Sequence, residues 1–136
     1  MALLIMATFT GSSDLRTKAG EMLVSVQATA VQYPTAFAQW LCALDYALHP
    51  YQEVAILGEN SHPITRSFVD ILWQEFRPYA VAATSAGPPA PGSPPLMLDK
   101  TPINQLPTAF VCKNFACQLP TNDPSEFERQ LHGQSP

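Results

Sequence analysis

Cys112 and Cys117 bracket the stretch Cys-Lys-Asn-Phe-Ala-Cys and are residues of the right type for thiol chemistry. On a straight strand they would face opposite sides about 16 Å apart, too far for a disulfide. If Lys113 to Ala116 turns, the sulfurs meet as a cross-strand redox or disulfide pair; otherwise both serve as small buried hydrophobes. The spacing is wider than a usual zinc pair and no second Cys/His pair accompanies it. His49, His62 and His132 are scattered without ligand spacing, so neither a metal nor a cofactor is expected. Cys42, among Leu41, Ala43 and Leu44, reads as a core residue.

A second candidate is the loop Gly58-Glu59-Asn60-Ser61-His62, which leads from an apolar run into a helix start. Gly58, Asn60, Ser61 and His62 could hold an anion there, since free amides and the helix dipole favour negative charge. Glu59 opposes that, no glycine-rich phosphate cradle is present, and the plainer reading makes Ser61 or His62 just the helix cap. Asp45 lacks the paired carboxylate that glycoside chemistry needs, so no catalytic residue is assigned. Trp40 and Trp73 fall at core positions by spacing.

The elements that must position these groups fall into two halves. Residues 1–49 read as helical. Residues 2–9 form part of a buried helix, and Gly11-Ser12-Ser13 is a break with Ser13 as N-cap. Leu15, Ala19, Met22, Leu23, Val26 and Ala30 then draw one stripe over 14–32. A helix over about 35–48 is apolar almost all round and needs cover on several faces. From Tyr51 onward, Glu53 to Gly58 reads as a strand buried on both faces, 63–76 as a helix with Pro63 in its first turn, and 79–84 as a second strand. Strand, helix and strand make a βαβ unit with parallel strands. Five of the fourteen prolines lie in 86–95, a stiff connector. A third strand over 108–112 precedes a last helix, capped by Asp123 with Pro124 first and Glu126 closing a capping box. The expected fold is α+β (or α/β): an N-terminal helical hairpin, a three-stranded βαβ-containing sheet and a C-terminal helix.

Length and composition bound the rest. The chain has 136 residues, 46% apolar and only 13% charged, so it can bury a core but has little charge to clothe a surface. Net charge is −4 without clustered Lys or Arg, which argues against a nucleic-acid partner. No run of 18 apolar residues exists to cross a membrane. Residues 2–9 lack the basic flank of a secretory signal, and three cysteines do not make a disulfide framework, so a cytoplasmic location is expected.

The order of segments resembles the C-terminal end of a family of large thioredoxin-domain-containing proteins, which includes the spermatogenesis-associated thioredoxin-like proteins and bacterial homologues. The resemblance is carried by Phe9-Thr-Gly-Ser12 with Lys18-Ala19, Tyr33-Pro34, Ala43-Leu-Asp45, Glu53-Val-Ala-Ile-Leu-Gly58 and Pro95-Leu96. Its most specific part is Ala109-Phe-Val-Cys-Lys-Asn-Phe-Ala-Cys-Gln-Leu-Pro120. The resemblance implies a thioredoxin-like domain first in a full member. A helical toroid akin to six-hairpin glycosidases and sugar epimerases follows, and then a small α/β tail. Residues 1–49 would be the last toroid helices and 50–136 the tail. The thioredoxin motif and most of any sugar-site wall would lie outside this chain. The lengthened connector at 86–95 and the short polar terminus after Leu131 depart from the pattern.

Two functions follow. One is a non-catalytic module with a structural or interaction role, partnered by upstream domains of a longer protein and, through helices 1–49, by further copies of itself. The other is a small ligand-binding or thiol-redox domain using Gly58–His62 and Cys112/Cys117.

Overall fold

The computed structural model describes residues 1–113 and 116–133. Among the described residues the fold is α+β with a C-terminal helix: five α-helices and a four-stranded mixed sheet. Three helices come first, α1 (Ala2–Thr10), α2 (Ser13–Gln32) and α3 (Ala38–Leu48), in the three stretches of 1–49 read as helical. Gly11 ends α1 in the left-handed conformation at φ 66°, and Ser12 rather than Ser13 caps α2, its hydroxyl accepting from the Leu15 amide at 3.3 Å. Tyr33-Pro34 stops α2, and turns precede α3, which begins three residues later than its spacing suggested.

The sheet runs in the order β2-β1-β3-β4. β1 (Gln52–Leu57) lies parallel to β2 (Ala80–Ser85), and α4 (Pro63–Gln74) connects them as the βαβ pattern requires. β3 (Thr108–Lys113) runs antiparallel to β1. The sheet has a fourth strand beyond the three expected: β4 (Ala116–Cys117), antiparallel to β3. Two residues carry no periodicity, which is why the sequence does not announce it. The expected turn at Asn114 and Phe115 lies outside the described residues. The proline-rich segment has no helix or strand before a short 3-10 turn at Pro95–Met97.

Because side chains alternate along a strand, β1 and β3 serve two cores. Val54, Ile56, Ala109 and Val111 pack against Phe68 and Leu72 of α4 and Phe127 and Leu131 of α5 (Pro124–Leu131). Ala55, Leu57, Val81 and Phe110 face the other way, toward Leu96, Met97 and Phe9 of α1. A third core joins Leu4, Ala19, Leu23, Ala43 and Tyr46 among α1, α2 and α3, with Tyr79 against it. The helices of 1–49 therefore stack on one face of the sheet through α1, while α4 and α5 cover the opposite face.

Several sequence expectations are corrected by exposure. Cys42 is exposed, not core. Trp73 is 65% exposed, and Phe76, beyond the end of α4, is 91% exposed. Asp123 does cap α5, accepting from the Ser125 amide at 2.9 Å, but Glu126 closes no capping box; its carboxylate takes Arg129 and Gln130 instead.

Candidate functional site

The β1–α4 loop sits at the carboxyl ends of the two parallel strands, where open α/β sheets place ligands. His62 is the cap of α4, its Nδ1 accepting from the Ile64 amide at 3.2 Å. Arg66 donates through Nε to the Asn60 carbonyl at 3.3 Å, while the Ser61 hydroxyl reaches toward Glu59 at 3.5 Å. Gly58 is required for packing: a Cβ there would stand 2.5 Å from Thr65 Oγ1 and 2.7 Å from Pro107 Cβ. Asn60, Thr65 and Arg66 line an open cavity of about 530 Å³, walled also by Asp70, Trp73 and Thr84. The Thr65 hydroxyl is buried there without a hydrogen-bond partner. Gly58, Ser61 and His62 do not line this cavity; of the four loop residues predicted to bind an anion, Asn60 alone does.

At the other end of the sheet Cys112 and Cys117 are joined by a disulfide between directly opposed residues of β3 and β4, with Cα atoms 3.8 Å apart. Cys112 is buried at 4% exposure and Cys117 is exposed. The segment after Cys117 stays on the edge of β3 through the Gln118 amide to the Val111 carbonyl and through paired bonds between Ala109 and Thr121. Gln118 Nε2 also donates to the Gln130 carbonyl at 3.2 Å, fastening that edge to α5.

A polar cluster that the sequence reasoning missed lies beneath the helical layer. Glu53 of β1 is 9% exposed, on the same sheet face as Ala55 and Leu57 and directly across from Cys112. Burial pushes its carboxyl above the ordinary glutamate value of 4.5, against the pull of Lys100 and Arg16. Arg16 donates to Thr8 Oγ1 at 3.0 Å and lies 5.0 Å over the Tyr51 ring. The Tyr46 hydroxyl is buried without a partner of normal geometry; burial raises its pKa, and the nearby Thr8 hydroxyl and Arg16 lower it by less. The available signal was parity: in a strand buried on both faces, a glutamate in step with Ala55 and Leu57 has no solvent side to face.

Asp45 joins another set. It accepts from the Tyr79 hydroxyl and lies 3.1 Å from His49 Nδ1, while the His49 and Tyr79 rings stack at 4.8 Å. Among the described residues no group of three or more His, Cys, Asp or Glu could hold a metal ion, and no helix is long and apolar enough to cross a membrane.

No family model matches the chain, and no solved structure does. Two curated proteins match. Spermatogenesis-associated protein 20 of Homo sapiens is 26% identical over 127 residues, covering 91% of this chain and 16% of that protein. Its Mus musculus counterpart is 22% identical over 133 residues, covering 96% of this chain and 17% of that protein. The chain thus spans about a sixth of the length of the curated relatives it matches, and is similar along nearly all of itself to one stretch of a much longer protein.

Proposed function

We propose that this chain is a non-catalytic module with a structural or interaction role, built like the C-terminal end of the thioredoxin-domain-containing, six-hairpin-glycosidase-like proteins. In this reading residues 1–49 are the closing helices of a toroid and 50–136 a tail docked on them. The observation that carries it is a second apolar stripe on α2. Leu23 packs in the helical core and Ala30 is buried, yet Val24 and Val31, two turns apart and about 100° round the helix from them, are 71% and 74% exposed. Leu48, at the end of α3, is 75% exposed. An apolar row beside the buried stripe is made to be covered as well. The partner that covers it is the helical body preceding this stretch in a longer protein, and in its absence another copy of the chain.

A thermal-shift screen against phosphates, nucleotides and sugars tests the reading. The module gives no saturable shift with any of them; a clear shift would overturn it. That outcome would favour the second reading, a small ligand-binding domain, which the buried, unpartnered Thr65 hydroxyl beside Asn60 and Arg66 supports.

A further inference from the structure

We propose that the Cys112–Cys117 disulfide is a thiol-exchange site, opened by an external dithiol that attacks the Cys117 sulfur while Glu53 hands a proton to the departing Cys112 sulfur. The two cysteines are not equivalent. Cys117 sits exposed on the two-residue edge strand, open to an attacking thiolate, whereas Cys112 is buried in β3 on the side of Phe110. A thiolate released at Cys112 would be desolvated, and burial makes a thiolate a poor leaving group unless a proton reaches it. Glu53 is the residue in register with Cys112 across the β1–β3 pair, on the same face and itself buried. Side chains so opposed have Cβ atoms about 4.5–5.5 Å apart. Its raised carboxyl pKa keeps part of it protonated at higher pH than an exposed glutamate.

The other titratable groups of this cluster are Arg16 from α2, Tyr46 from α3, Tyr51 ahead of β1 and Lys100 from the segment after Pro95–Met97. Arg16 and Lys100 stabilise the carboxylate that remains after the proton leaves. The attacking thiolate forms a bond to the Cys117 sulfur, and the electron pair of the broken S–S bond goes to Cys112, which takes the Glu53 proton. The second thiol of the reagent then displaces Cys117 as a thiol and leaves as the cyclic disulfide. Glu53 is reprotonated from solvent. Two electrons and two protons pass from the dithiol to the cystine.

The whole chain is treated with dithiothreitol across a pH series, quenched with an alkylating agent and read by mass spectrometry; a monothiol, mercaptoethanol, is used in parallel to trap the mixed disulfide. The trapped adduct falls on Cys117. Glu53→Gln slows reduction at neutral pH by about tenfold or more, and the difference narrows as pH rises and the wild-type carboxyl ionises. Glu53→Asp restores part of the lost rate and its pH dependence. An unfolded variant would react faster, so slowing cannot come from loss of structure. An adduct on Cys112, a pair inert to dithiothreitol in the folded protein, or equal rates for wild type and Glu53→Gln at every pH overturns the proposal.

Discussion

The Tyr79 hydroxyl donates a hydrogen bond to the Asp45 carboxylate, 34 residues earlier in the chain, and so ties α3 to the entry of β2. The same carboxylate meets His49, whose ring lies on that of Tyr79, so one residue from the α/β half closes a polar clasp with the helical half. The bond to Asp45 is the main reason the Tyr79 phenol is raised above its ordinary value of 10.0.

That clasp has a titration signature. Asp45→Asn removes the negative acceptor, and the Tyr79 phenol falls back toward 10.0. Ultraviolet titration of the variant, with Tyr79→Phe identifying the band, checks it. A Tyr79 phenol unmoved in Asp45→Asn would count against the Asp45 carboxylate as the main cause.

Glu53 sets a pH dependence of stability. Its folded pKa lies above 4.5, so the folded state holds more protons than the unfolded one between those two values. Its contribution is fully present below 4.5 and is lost as pH rises through the folded value. Glu53→Gln is accordingly more stable than wild type at neutral pH, with the gain vanishing in acid. Urea unfolding at two pH values measures it; a gain that grows toward acid would reverse the sign.

The disulfide closes a loop of six residues, from Cys112 to Cys117. So short a loop restricts the unfolded chain only modestly, and replacing both cysteines by serine costs about 2 kcal/mol. Calorimetry under oxidising conditions checks the figure, and wild type held in reductant should show a loss of similar size.

Phe68 of α4 and Phe127 of α5 meet edge to face at 5.0 Å, both fully buried. They join the two helices that cover one side of the sheet. Phe68→Ala leaves a cavity at that junction and costs about 3–5 kcal/mol. Denaturant unfolding that shows under 1 kcal/mol would mean that this face is not a packed core.

The parts of the fold that were legible in the sequence are those whose pattern one force controls. The apolar run Val54 to Leu57 can be buried only on two faces, and Asp123 before Pro124 can hardly be anything but a helix start. What escaped depends on tertiary context. β4 exists because the chain returns along β3, not because Ala116 and Cys117 favour a strand. Trp73 and Phe76 have core-type side chains but are exposed, and Glu53 has a surface-type side chain but lies buried on the sheet face of Ala55 and Leu57. Of the candidate site residues, the cysteine pair was legible as two alternatives that spacing could not separate. The anion loop was legible only as a cap with neighbours, because Thr65 and Arg66 enter from the following helix turn.

The outward stripe of α2 is open to direct test. Light scattering on the purified chain over a concentration series should show a dimer or larger species. Val24→Lys with Val31→Lys should return it to a monomer without lowering its helix content. A wild-type chain that stays monomeric at the highest concentration would contradict the reading of this face as an interface.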